Sequence, residues 1–128
     1  MENSINKVKE FHDAFSIKNN FTPTSKLTQD EYLLRYTLMR EENEEYLEAC
    51  KNGDLVEIAD ALGDLMYILC GTILKHGLQD KIEAVFNEIH RSNMSKLDEN
   101  GKPIYREDGK VLKSEKYFKP NIKEILEK

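Results

Sequence analysis

The sequence predicts an all-α fold, a four-helix core followed by a small C-terminal β-hairpin, and three observations carry that reading. Apolar residues recur at helical spacing along successive segments between about residues 4 and 96. Those segments are bounded by residue types that cap and stop helices. Beyond about residue 97 the periodicity gives way to a polar, turn-rich stretch.

The first helix is expected over about residues 4–16, with Ile5, Val8, Phe11 and Phe15 as its stripe. A loop over residues 18–25 follows. Its one aromatic, Phe21, either folds back onto the core or lies beside a bound base. Thr28-Gln29-Asp30-Glu31 reads as a capping box opening a second helix that runs to about Lys51. Asn52-Gly53 ends it, because glycine suits the left-handed position after a helix. Asp54 then caps a third helix that reaches about His76 and stops at Gly77. The fourth, over about residues 79–95, carries the stripe Ile82, Val85, Phe86 and Ile89. Asp108-Gly109 between Ile104-Tyr105 and Val111-Leu112 predicts a hairpin. So short a hairpin needs the helices or a partner subunit to lie against. Pro120 precedes a last short helix over about residues 121–127. The whole chain reads as one domain, residues 1–128, with the helical core at about 4–96 and hairpin and tail at about 97–128.

A net charge of −5 excludes a nucleic-acid polymer as general partner, since that requires a basic face. It leaves room for a phosphate substrate if a metal brings the positive charge. No apolar run approaches the roughly 20 residues of a membrane span, and the N-terminus shows no signal pattern. Cys50 and Cys70 lie inside helical patterns and read as buried reduced thiols, so a cytoplasmic location is expected.

The chemistry concentrates on helices two and three. Leu34 and Leu38 begin an apolar stripe that continues onto Glu41 and Glu45, with Glu42 beside them. On helix three, Glu57, Asp60 and Asp64 share one face, while Ile58, Leu62, Leu65, Met66 and Leu69 make the other side apolar. This helix is expected to be buried over most of its circumference. No lysine or arginine occurs between Lys51 and Lys75. A solvated acidic face normally carries basic partners one turn away. Crowded carboxylates without them repel and take up protons unless a cation joins them. Hard oxygen ligands select Mg²⁺, Mn²⁺ or Ca²⁺ over softer metals, and Mg²⁺ is the expected ion, with Mn²⁺ as its alternative. A di-iron bundle is excluded, because no histidine has a glutamate three residues before it. The Asp98–Gly109 stretch lacks the glycine and glutamate of a calcium loop. Phosphate-loop and nucleophile-elbow motifs are absent too. At the end of helix four, Arg91, Asn93 and Lys96 can meet a triphosphate as charge-assisted donors. The alternative is that the two cations serve only the helix C-terminus. Tyr105, Tyr117 and Lys119 are weaker candidates, and His90 reads as structural.

Glu41-Glu42-x-x-Glu45 followed by Glu57-Ile58-Ala59-Asp60-Ala61-Leu62-Gly63-Asp64-Leu65-Met66-Tyr67 resembles the MazG-like all-α nucleotide pyrophosphohydrolases. That superfamily includes dimeric dUTPases, dCTP pyrophosphatases and phosphoribosyl-ATP pyrophosphohydrolase. Phe11-His12-x-Ala14-Phe15 and His90-Arg91-Ser92-Asn93-Met94-Ser95-Lys96 are similar to its small bacterial branch with dUTPase-like members. The superfamily pattern is EExxE followed by ExxD. Glu41, Glu42 and Glu45 match the first half and Asp64 ends the second, but Ala61 stands where the pattern has glutamate. Either the register shifts to Glu57-x-x-Asp60, or Asp60 replaces the missing ligand.

The resemblance implies a MazG-like bundle, a homodimer or homotetramer, and Mg²⁺ held by these acids. It further implies cleavage between the α and β phosphates of a nucleotide, giving the monophosphate and pyrophosphate. Glu42 is the expected base toward the attacking water. The leading expectation is a (d)NTP such as dUTP. Phosphoribosyl-ATP is the alternative, and a non-catalytic helical interaction module stabilised by a metal is the alternative of another class.

Overall fold

The computed structural model describes residues 1–128 and has the expected helical architecture, with five helices and one two-stranded antiparallel hairpin. The chain divides into two compact units, Met1–Asp80 and Lys81–Lys128.

The first unit holds α1 (Glu2–Ala14), α2 (Gln29–Lys51) and α3 (Leu55–Lys75). α3 is the central rod and packs against both α1 and α2. Its buried residues lie mainly in its second half, where Cys70, Ile73 and Leu74 meet Ile5 and Val8 of α1 in the core. The local signals act as expected. Thr28 Oγ1 accepts from the Glu31 amide (3.2 Å) and Glu31 Oε1 from the Thr28 amide (3.0 Å), which closes the capping box. Asp54 Oδ1 accepts from the Glu57 amide (3.2 Å) and opens α3, with only Asn52 and Gly53 between it and Lys51, the last residue of α2. Gly53 makes that tight reversal at φ +62°. α1 ends earlier than the stripe suggests, because Ser16 turns left-handed at φ +59°.

Three expectations change here. α3 is not buried over most of its circumference: Leu62, Met66 and Leu69 stand 49%, 46% and 43% exposed, since α1 and α2 cover only one side of it. Leu34 is 55% exposed, so the inward stripe of α2 is not the leucine line; its buried residues are Arg35 and Ala49. Cys50 is exposed and only Cys70 is buried, the α2 C-terminal turn presenting Cys50 outward; both thiols are free.

The loop between α1 and α2 seals the end of α3. A helix leaves its last carbonyls without intrahelical partners. Here the Asn20 amide donates to the Leu74 carbonyl (2.9 Å), the Asn20 side chain to that of Lys75 (2.5 Å), and the Thr24 amide to that of His76 (2.9 Å). Gln79 donates to the Asn20 carbonyl (2.8 Å) and belongs to this closure instead of to the fourth helix, which therefore starts at Ile82.

The second unit holds α4 (Ile82–Met94), β1 (Ile104–Tyr105), β2 (Val111–Leu112) and α5 (Ile122–Glu127). Ile104 pairs with Leu112 and Tyr105 with Val111, around a turn in which Gly109 adopts φ +87°. Serine hydroxyls tie the tail to α4: Ser92 donates to the Phe118 carbonyl (2.8 Å), and Ser114 to that of Ser95 (3.0 Å).

Gly77 sits at φ +66° against the Thr22 backbone, where an added Cβ would overlap the carbonyl. Strain of both kinds applies to Gly77→Ala, which is expected to lower stability by about 1–3 kcal/mol in urea denaturation. Gly53→Ala, with open space around it, is expected to cost less.

Candidate active site

α2 and α3 run antiparallel. Arg35 near the start of α2 meets Ile68 and Thr72 in the second half of α3, and Glu42 further along α2 meets Asp64 earlier in α3. Along α2, Arg35, Leu38, Glu42, Glu45 and Ala49 are spaced three and four residues apart, one helical face. Glu42, Glu45 and Asp64 each bring a carboxylate oxygen into a group whose members all lie within 4.8 Å of one another. Glu42 and Asp64 are half-buried and Glu45 is exposed. Glu42 Oε2 is sealed from solvent and has no hydrogen-bond partner.

That arrangement shows in the acidities. Glu42 is pushed up from 4.5 to about 7, first by burial, then by the Glu45 carboxylate, then by the charges of Asp64 and Asp60. Asp64 is raised as well, by burial and then by Asp60 and Glu45. A buried carboxylate oxygen without a donor is costly unless something meets it. Hard oxygen donors from three acids, one of them orphaned, suit a hard divalent cation.

Asp60 lies close enough to shift both Glu42 and Asp64. Ala61, where the superfamily pattern has glutamate, is packed inside at 2% exposure. Glu41 is exposed and stands outside the cluster. Glu57 is exposed in the first turn of α3 and stands outside the cluster too. Phe21 does not fold onto the core: it is 66% exposed, with the Lys9 ammonium 5.7 Å from its ring. In the second unit, Arg91 makes a two-pronged pair with Glu88 (2.8 and 3.2 Å) and lies over the Phe118 ring (4.3 Å). Asn93 is exposed, Lys96 is half-buried, and Tyr117 is half-buried with the Lys113 ammonium 4.6 Å from its ring.

The sequence pattern missed a buried polar group in the first unit. His12 shares a 2.6 Å hydrogen bond with Asn19 Oδ1, and burial lowers its pKa. Lys75, 7% exposed, donates to the Lys18 carbonyl (2.8 Å) and pairs with Glu31 (3.2 Å). Arg35, 8% exposed, donates from Nε to Thr72 Oγ1 (3.1 Å) and from Nη2 to the Ile68 carbonyl (3.0 Å). The available signals were Gly71 and Thr72 within an otherwise apolar helix, and one arginine among leucines and tyrosines. Beside these residues opens a cavity of about 260 Å³ with Phe11, Leu34, Leu38 and Tyr67 among its walls. Leu38 is one turn from Glu42, and Tyr67 one turn from Asp64.

Long antiparallel helices converging carboxylates on one point are the build of the MazG-like nucleotide pyrophosphohydrolases, hydrolases of phosphoric anhydride bonds. A family model described as phosphoribosyl-ATP pyrophosphohydrolase matches residues 8–93, about two thirds of the chain and all of the acidic cluster. The chain belongs to that family, whose members are typically metal-dependent. No curated protein matches the chain.

A carboxyl group whose folded-state pKa is raised binds its proton more tightly when folded. Its contribution to stability is complete below the unfolded value and is lost as pH rises to the folded one. In the metal-free protein the Glu42 contribution to melting temperature is therefore expected to be lost between pH 4.5 and about 7, while His12, whose pKa burial lowers, acts in the opposite sense below pH 6.5. Calorimetry in chelator checks this. Glu42→Gln should remove the Glu42 part of that slope and leave the parts due to Asp64 and His12.

Proposed function

We propose that the chain is a Mg²⁺-dependent pyrophosphohydrolase that cleaves the α–β phosphoanhydride bond of a nucleotide, with phosphoribosyl-ATP as its substrate. The observation that carries the reading is the meeting of Glu42, Glu45 and Asp64 around an unsatisfied buried oxygen. The family match favours phosphoribosyl-ATP over dUTP.

Glu42, Glu45 and Asp64 would hold the ion, with Asp60 the nearest further acid and Glu41 and Glu57 in a supporting, outer position. When bound, Mg²⁺ neutralises phosphate charge and fixes the oxygens for in-line attack. Glu42 is also the proposed base, taking the proton of the attacking water on an oxygen that the ion leaves free. The water oxygen bonds to phosphorus, the bridging P–O bond breaks, and the nucleoside monophosphate and pyrophosphate leave. The apolar cavity one turn away from the acids suits the flat base. Asn93, Lys96 and Tyr117 are proposed phosphate donors and Phe21 a proposed base contact. Arg91 is proposed to join them through the guanidinium N–H groups that its Glu88 pair leaves free.

A homodimer is proposed to cover the bare side of α3, since Leu55 and Val56, 76% and 77% exposed, extend the apolar surface of Leu62 and Met66.

Incubation with Mg²⁺ and phosphoribosyl-ATP, alongside dUTP and the common nucleoside triphosphates, is expected to release pyrophosphate fastest from phosphoribosyl-ATP. A preference for dUTP would overturn the substrate assignment, and no release from any nucleotide would overturn the enzyme reading. Asp64→Ala is expected to cut turnover at least about a thousandfold while circular dichroism keeps the helical signal of the parent.

A further inference from the structure

We propose that Arg35 is a positioning residue for the metal centre: its guanidinium fixes the register of α2 against α3, and so brings Glu42 and Glu45 opposite Asp64. The inference rests on the reading of those carboxylates as ion ligands.

Arg35 is a buried cation, and its hydrogen-bond partners are neutral oxygens on α3, not a carboxylate. Burying a charge in this way is expensive. The planar fork gives geometry in return. Nε and Nη2 grip Thr72 Oγ1 and the Ile68 carbonyl, which belong to adjacent turns of α3, and Thr72 Oγ1 itself donates to that same carbonyl (2.8 Å). Sliding or rotating α2 by one residue would break both bonds together.

Gly71 completes the lock. A Cβ at that position would stand 2.6 Å from Arg35 Nη2 and 3.0 Å from His12 Nε2. Side chains from α1 and α2 thus converge on a point of α3 that has no side chain. From there the carboxylates follow rigidly. Glu42 is two turns beyond Arg35 on α2, and Asp64 is one turn before Ile68 on α3. Outer groups of this kind commonly govern how ligands meet a metal.

The test is Mn²⁺ binding without nucleotide, followed by electron paramagnetic resonance on the full chain. Arg35→Met is expected to weaken Mn²⁺ binding about tenfold or more. Thr72→Val, which removes one prong and leaves every charge in place, is expected to weaken it less. The sign separates register from charge, because deleting a positive charge favours a nearby cation by Coulomb attraction alone. Arg40→Gln, removing an exposed arginine of α2, is expected to leave binding unchanged or tighten it.

If Arg35 were merely structural, its loss would lower the melting temperature while the folded variant kept the parent affinity. Parent-like or tighter binding in both Arg35→Met and Thr72→Val overturns the inference. Should Arg35→Met not fold, Thr72→Val decides. Failure of the parent itself to bind Mn²⁺ overturns the active-site reading instead, so the two failures are distinct.

Discussion

Mutual repulsion among carboxylates is the constraint around which the first unit is built. Three acids from two helices share a space of a few ångströms, and no lysine or arginine lies on α3 until its last residue. Such a group persists in a folded chain only when something else holds the helices together. Here that is the core of Cys70, Ile73 and Leu74 against α1, together with the hydrogen-bonded closure at the end of α3. When no ion is bound, burial first and then the neighbouring carboxylates push the Glu42 pKa up to about 7.

The helix boundaries were legible because they depend on local chemistry. Thr28 with Glu31, Asp54, Gly53 and Gly77 act through bonds and torsions within a few residues of themselves. The acidic face of α3 was legible for a similar reason, through the lack of nearby cations. The inward face of α2 was not. Its true line runs through an arginine, a leucine, two glutamates and an alanine, so an apolar pattern search finds the exposed Leu34 first. The buried polar side chains His12, Arg35 and Lys75 depend on partners 7, 33 and 57 residues away in the chain, beyond any local pattern. The start of α4 was misplaced by the same effect, since Gln79 answers to Asn20.

Ala61 shows how the structure refines a motif. The spacing left Glu57 and Asp60 as equal stand-ins for the missing glutamate. Packing separates them: Asp60 faces the other acids closely enough to shift two of them, while Glu57 stays in the first turn beside the Asp54 cap. Family membership fixes the class of reaction, and the chain departs from the superfamily pattern at Ala61.

The very short connection at Gly53 has a mechanical consequence. It joins α2 and α3 at one end, making that end a pivot. Glu45 lies about two turns from it and Arg35 about five. Electrostatic pressure between the acids acts on a short arm, and the guanidinium resists on an arm more than twice as long. A modest pair of bonds at the far end can thereby withstand a larger outward thrust near the fulcrum, and small shifts of the acids become larger shifts at the cavity mouth.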